Sequence, residues 1–477
     1  MLSLSYTSGN FHYRDGVDEA LSEECWKEAM HAELSAIHDS GTWEMAVLPP
    51  GHKAIGLKWV YKVKKDPAGH IVKHKARLVA KGYAQWQGMD YDEVFAPVAS
   101  METVHLLLAL ARTMGLVRPT QAPRAWNTKL DSALTSLGFE RSPLEHDVYR
   151  RNTRASTLIV GVYVDDLVIT GSDKGDIDKF KEEMKCKFAM SDLGLLSYYL
   201  GIEVAQRGDA ITLCQRDYVG KILAAAGMVG CNAMHTPMES RLPLRKRDSG
   251  GVIDATLYRS IMGSLRYLCN TRPNITFAVG MVSRYLEALG APHWAAMKHI
   301  LRYISGTAGY GCCYKRGAGA PTLIGFSDSD HAGDKDDCKS TTGVVFFLGS
   351  SAVTWASQKQ KIVTLSSCEA EYVAATSSAC QGVWLCRLLG DLIGDAPTKV
   401  KLRVDNMSAI ALCKIPIYHE RSKHIDIKYH FIRECIDDGK VDVDHVSTDH
   451  QLADTLTKAL GRVKFIDMRL KLGVMEV

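Results

Sequence analysis

Two apolar runs of β pattern, 157–164 (TLIVGVYV) and 167–170 (LVIT), enclose two adjacent carboxylates, Asp165 and Asp166, and Gly171-Ser172 closes the unit. The chain therefore has to build a hairpin that carries two acids at its turn. Burying such a pair is costly unless something cationic neutralises it. Two divalent metal ions holding a phosphoryl group are the natural partner. The alternative is a solvated turn in which both acids face water, since Asp is common in turns.

At 477 residues the chain exceeds one ordinary hydrophobic core, which predicts two to four domains. With 46% hydrophobic and 23% charged residues, it reads as a soluble globular protein without a large disordered tail. The net charge of +4 is mild but unevenly spread. Between Lys53 and Lys81 nine Lys/Arg stand against one acid, Asp66, with Trp59, Tyr61 and Tyr83 in or just beyond the stretch. Cations interleaved with aromatics predict a sheet that tracks a phosphate backbone, and the alternative is a solvated strand face. Thirteen cysteines show no C-x-x-C pair, and Cys312-Cys313 are adjacent. That usage fits a reduced intracellular compartment better than a disulfide framework or a zinc site. No apolar run approaches the roughly 18 residues of a membrane span, and no charged-then-apolar leader opens the chain. The expectation is a soluble protein with no visible address.

Periodicity predicts a helix over about 18–40, with Ala20, Trp26, Met30, Leu34 and Ile37 on one face. Strands follow at 58–63 and 77–79, joined by the turn Asp66-Pro67-Ala68-Gly69. Helices are predicted at 102–114 and 126–137, and a charged one near 177–188 follows the hairpin. This is an α+β pattern. From about 211 to 320 the chain reads as more helical, at 217–226, 257–269 and 291–304. The last helix turns Ala296, Ile300 and Ile304 inward and His293, Lys298 and Arg302 to other sides. From Thr322 onward come a strand ending at Ser327-Asp328 and strands at 343–348 and 352–357. Ser366-Ser367-Cys368-Glu369, a capping box, opens a helix to about 392. A strand at 400–404 runs into Asp405, and a helix at 424–436, a strand at 441–446 and a final helix from about 449 complete a βββαβαβα order.

Tyr163-Val164-Asp165-Asp166 in an apolar hairpin resembles the active-site turn of reverse transcriptases. The stretches around it resemble the Copia-type LTR retrotransposon Pol polyprotein over nearly the whole chain. They include Lys75-Ala76-Arg77-Leu78-Val79-Ala80-Lys81-Gly82, Phe95-Ala96-Pro97-Val98, Tyr199-Leu200-Gly201-Ile202-Glu203 and Thr271-Arg272-Pro273. Towards the C-terminus Glu369-Ala370-Glu371-Tyr372, Asp405-Asn406, Lys423-His424-Ile425-Asp426 and Leu452-Ala453-Asp454 follow in the family's order. The resemblance implies an α+β chain: incomplete reverse transcriptase fingers and palm over 18–210, a helical thumb and connection over 211–320, and a ribonuclease H-like α/β domain over 321–460. It implies RNA-directed DNA polymerase and ribonuclease H activities. Each active site would use two Mg²⁺ ions, with Mn²⁺ as an alternative, and RNA, DNA and RNA–DNA hybrid would be the partners. Location would be intracellular, in a cytoplasmic retroelement particle and the nucleus. Lys73, Lys75, Arg77, Lys81 and Gln121 would contact substrate, and Asp165 and Asp166 would hold metal.

Ribonuclease H chemistry needs two hard cations about 4 Å apart, clamped by carboxylates that converge from different elements. Asp328 at a strand end, Glu371 in the first turns of the capped helix, Asp405 at a strand end and Asp454 in the last helix meet that requirement, and the resemblance assigns the same four positions. Asp330 and Asp334 are alternatives to Asp328, and Glu369 is an alternative to Glu371, although the capping box already accounts for Glu369. His450 is a further candidate for proton transfer or product release.

Two-metal polymerisation needs a third Asp on a strand beside the hairpin. Copia-type enzymes supply it in a Met-Asp-Val-Lys-type segment after the apolar helix. Here 113–120 runs straight into Gln121-Ala122-Pro123, and no Asp occurs between Asp92 and Asp131. Asp131 lies inside a helical pattern and is a poor substitute. The expectation is an internally deleted copy or a mis-spliced gene model, missing roughly 30 residues or more, whose palm sheet has lost a strand and its backbone partners. Polymerase activity would be lost and the nuclease formally complete. The rivals are a catalytically silent nucleic-acid-binding remnant and an unselected pseudogene product.

Overall fold

The computed structural model describes residues 21–40, 56–65, 71–81, 99–111, 114–119, 123–153, 156–164, 166–188, 190–208, 210–240, 242–248, 253–315, 322–394, 399–414 and 427–477. Among them the strands form four sheets, of two, five, five and six strands.

The helix Glu24–Ser40 lies on an antiparallel pair, Leu57–Lys65 with Ile71–Ala80. Strand alternation separates the two faces of that pair. Tyr61 lies opposite Ala76, and both are buried with Trp26, whose ring meets Tyr61 edge-on at 5.2 Å. Lys62 lies opposite Lys75, and Val60 opposite Arg77, on the other face. The helix contributes Cys25, Trp26, Ala29 and Met30 to this small core, all from its first half. Leu34, expected on the same face, is 45% exposed. The helix start near 18 and the turn at 66–69 lie outside the described residues.

The hairpin forms as predicted, with Thr157–Tyr163 and Asp166–Gly171 antiparallel and Tyr163 opposite Asp166. Both of its faces are buried. Ile159 and Val168 join a core with Val104 and Leu107 of the helix Met101–Leu110, while Leu158, Val160, Leu167 and Ile169 pack with Leu130, Leu134, Ile177 and Phe180. The sheet does not lack the strand that the sequence predicts to be missing. Met114–Pro119, expected partly as helix, is a strand between Asp166–Gly171 and Met190–Leu195, with Met114 opposite Thr170 and Val117 opposite Leu167. A central strand's amides and carbonyls need partners, and this short segment supplies them.

Residues 211–320 are less purely helical than expected. Strands Ala210–Cys214 and Tyr310–Lys315 bracket the helices Arg216–Ala225, Ala255–Leu268, Thr276–Val282 and Ala291–Ser305. Both belong to an antiparallel sheet that takes in Ile202–Arg207 on one side and the chain's last strand, Val474–Glu476, on the other. His293, expected on an outward side of its helix, is buried. Its ring stacks on Tyr285 at 4.3 Å, and its Nε2 lies 3.0 Å from the Arg245 carbonyl, while its Nδ1 is buried without a hydrogen-bond partner.

The C-terminal sheet has the order Ser351–Lys359, Thr341–Leu348, Leu323–Ser329, Val400–Val404, Val441–His445. Its first two pairings are antiparallel and the last two parallel. The helix Ser367–Ile393 packs across it, capped by Ser366, whose hydroxyl accepts from the Glu369 amide at 3.2 Å. The helix expected from 449 is instead a pair of 3₁₀ turns, Thr448–His450 and Leu452–Leu456, and the last α-helix is Arg462–Lys471. The side chain of Gln451 caps the second turn by accepting from Ala453, and strand residue Gly343 comes so near that a Cβ there would lie 2.8 Å from the Ala453 carbonyl. Helix Met101–Leu110 joins the two halves of the chain. Glu102 accepts from Thr354 at 2.8 Å and from Gln381 at 3.1 Å, and His105 stacks on Trp355 at 4.8 Å. All thirteen cysteines are free thiols, and among the described residues no helix is long and apolar enough to cross a membrane.

Candidate active site

Asp328 lies near the end of strand Leu323–Ser329 and is 2% exposed. The parallel neighbour Val400–Val404 sets Phe326 beside Arg403, and the same register carried two residues further brings Asp405 level with Asp328. Glu371 joins them from the second turn of the long helix, 4% exposed. The three residues offer carboxylate oxygens that all lie within 4.8 Å of one another. Each acid is oriented by a neighbour. The Ser329 amide donates to Glu371 Oε1 at 3.1 Å, the Thr457 hydroxyl donates to Asp328, and the Thr448 hydroxyl donates to Asp405 Oδ2 at 3.2 Å. Glu371 Oε2 is buried and has no hydrogen-bond partner.

Burial pushes the Glu371 carboxyl up to about 10, and the charges of Asp328 and Asp405 add to the effect. Burial likewise raises Asp328 to about 6; Lys458 opposes this and Asp454 reinforces it. Three acids this close cannot all ionise unless a cation enters, and an all-oxygen set with one buried oxygen unclaimed suits a hard divalent ion. The residues present therefore fit Mg²⁺ or Mn²⁺.

Asp454 stands apart from this triad. It is fully buried in the turn Leu452–Leu456, not in the last helix, and each of its oxygens faces an ammonium, although only Oδ2 has a hydrogen bond. Lys458 Nζ is 2.7 Å from Oδ1 and Lys464 Nζ 2.8 Å from Oδ2, while Lys458 also lies 3.7 Å from Asp328. The alternatives have other duties. Asp330 accepts from the Thr341 amide. Asp334 pairs with Lys359 at 2.7 Å and Arg284 at 3.2 Å, and although burial works the other way, these partners hold it down at about 2. Glu369 accepts from the Leu365 amide at 2.8 Å. His450 is exposed on its 3₁₀ turn.

At the hairpin Asp166 is buried, near the Tyr199 hydroxyl, whose pKa is raised by burial and then by the charges of Asp166 and Tyr163. Val164, just before the two acids in sequence, has φ +54°, a left-handed conformation that costs a β-branched residue strain. Asp165 and Gln121 lie outside the described residues. Lys73 and Arg77 are exposed on strand Ile71–Ala80, Lys75 is half-buried opposite Lys62, and the Lys81 amide donates to the Gly56 carbonyl at 2.9 Å. Sequence reasoning missed Ser329, Thr457, Lys458 and Lys464. Only Lys458 leaves a trace, four residues after Asp454 in a segment whose pattern reads as helical; the others act through tertiary contacts.

The family described as reverse transcriptase (RNA-dependent DNA polymerase) matches this chain in two pieces, residues 40–119 and 115–240. The retrovirus-related Pol polyprotein from transposon RE1 of Arabidopsis thaliana is 36% identical over 504 residues, covering 96% of this chain. The chain belongs to the Copia-type retrotransposon Pol family. The corresponding polyprotein from transposon TNT 1-94 of Nicotiana tabacum is also 36% identical, over 92% of this chain. The Copia-type chain described here spans about a third of these relatives, 34% and 37% of their lengths. A putative transposon Ty5-1 protein of Saccharomyces cerevisiae is 32% identical over 55% of the chain and 86% of its own length. The RE1 alignment is longer than the 477 residues of this chain, so that relative carries sequence without a counterpart here.

Proposed function

We propose that this Copia-type Pol segment is a divalent-metal-dependent nuclease that cuts the RNA strand of RNA–DNA hybrids, and that its polymerase half does not synthesise DNA. The observation that carries the first part is the triad of buried Asp328 and Glu371 with half-buried Asp405, whose carboxylate oxygens lie within 4.8 Å of one another. These three would hold the metal, with Asp454 completing the set. Bound Mg²⁺ or Mn²⁺ would supply an activated water and stabilise the departing 3′ oxygen. The chain's own residues do the orienting: the Ser329 amide fixes one Glu371 oxygen and leaves the other unclaimed, and Thr457 and Thr448 fix the two aspartates. Selectivity for RNA would come from contacts to the 2′-hydroxyl.

Three observations support the second part. The strand beside the hairpin, MGLVRP, carries no acid. The family match breaks at 115–119, where that strand lies. Asp131 is occupied elsewhere, accepting from the Tyr149 hydroxyl at 2.7 Å and lying 3.7 Å from Arg141. A silent nucleic-acid binder is the second reading, and the face bearing Lys62, Lys73, Lys75 and Arg77 favours it. The test is incubation of the full chain with Mg²⁺ and either a hybrid labelled in both strands or single-stranded RNA. Cleavage of only the hybrid's RNA strand supports the nuclease; binding without cleavage in Mg²⁺ or Mn²⁺ supports the silent binder.

A further inference from the structure

We propose that the Lys458 ammonium is a resident counter-cation of the nuclease site, which holds Asp328 and Asp454 together when no divalent ion is bound and competes with that ion for them. This rests on the metal-dependent reading above and adds a gate to it. Two buried carboxylates need a positive charge between them to stay ionised. Lys458 Nζ provides it, 2.7 Å from Asp454 Oδ1 and 3.7 Å from Asp328 Oδ2. The segment 454–458 thus brings an acid, the Thr457 hydroxyl on Asp328, and the cation to one place.

Lys458 and Lys464 both reach Asp454 but are held differently. Lys464 also donates to the Thr448 carbonyl at 3.1 Å, which ties it to the turn that orients Asp405. Lys458 Nζ meets the two carboxylates, and its side chain is 42% exposed, so the ammonium has a short path to solvent. Lys464 is thus a brace and Lys458 a displaceable plug. A divalent ion bound by Asp328 and Asp454 has to displace the plug or share its acids with it, which weakens its binding relative to an ion held by Glu371 and Asp405.

The experiment titrates the metal-free full chain with Mn²⁺, following free Mn²⁺ by electron paramagnetic resonance and heat by calorimetry, with a thermal melt to check folding. Lys458→Met should tighten the weaker Mn²⁺ site at least about tenfold, equivalent to about 1.4 kcal/mol, because a unit charge a few ångströms from the ion is removed. Lys458→Arg should bind Mn²⁺ as the wild type does. Lys458→Gln is the second neutral variant if Lys458→Met fails to fold, and a neutral variant that folds only with Mn²⁺ supports the counter-cation directly. Unchanged or weaker Mn²⁺ affinity in a folded neutral variant overturns this proposal and leaves the nuclease reading standing. If the wild type takes up no Mn²⁺, or Asp405→Asn takes up as much as the wild type, the metal-dependent reading fails and this proposal fails with it.

Discussion

Glu371 shows why the candidate metal site and the acids around it behave differently. Asp330, Asp334 and Glu369 lie in the same acidic neighbourhood, yet each accepts from a backbone amide or a cation, which accounts for its charge. Glu371 keeps an unclaimed buried oxygen beside two further acids. That distinction was only half legible in the sequence. Strand-end and helix positions pointed to Asp328, Glu371 and Asp405, but residue spacing could not show which neighbouring acids were already occupied. His105 gives a pH prediction at the same scale. Burial pushes its pKa down to about 4 against an ordinary value of 6.5. Between those values the unfolded chain binds a proton that the folded chain refuses. The stability it governs is therefore full above about pH 6.5 and is lost as the pH falls towards 4, by about 3 kcal/mol. Thermal melts should show the wild type losing more stability than His105→Gln between pH 7 and pH 4; equal losses would mean that His105 accepts a proton where it sits.

Among the elements, those with clean periods were readable and those set by tertiary demand were not. The apolar runs 157–164 and 167–170 predict the hairpin, and the Ser366 cap predicts the long helix. Met114–Pro119 becomes a strand because the hairpin beside it needs backbone partners, and the turn at Leu452–Leu456 stays tight because Gly343 and Gln451 crowd it. The helix–sheet packing at Gly382 makes a similar demand, since a Cβ there would lie 2.8 Å from Val400 and 3.0 Å from Phe346. Gly382→Val should destabilise the C-terminal half by about 1–3 kcal/mol through overpacking, lowering its thermal midpoint; an unchanged midpoint would show that the helix can shift away. For the basic strand pair, Lys62 and Lys75 set like charges opposite each other, which costs the sheet a little, and their face offers cations to a polyanion. Replacing Lys73, Lys75 and Lys81 with Ala should flatten the slope of log affinity for single-stranded RNA against log salt by about 0.7 for each phosphate that is no longer neutralised. An unchanged slope would show that these cations make no phosphate contact.

Across the whole molecule, the order of motifs carried the family resemblance, while the joins between regions were hidden. Nothing in the spacing foretold that the C-terminal strand Val474–Glu476 would pair with Tyr310–Lys315, or that Glu102 and His105 would dock on the C-terminal sheet. These joins tie the C-terminal sheet to the helix Met101–Leu110 and to the sheet that holds Tyr310–Lys315. Primer extension on an RNA template with Mg²⁺ or Mn²⁺ should give no product, and synthesis abolished by Asp165→Asn would show that the hairpin acids work without a third Asp. The most direct measurement of the central claim is the rate at which the full chain cuts the RNA strand of a hybrid in Mg²⁺, compared between wild type and Asp405→Asn. The substitution removes one ligand charge while keeping the side chain's shape. The wild type should cleave, and a variant that still folds and still binds hybrid should not cleave above background; equal cleavage by both proteins, or none by a folded wild type that binds hybrid, would contradict the nuclease assignment.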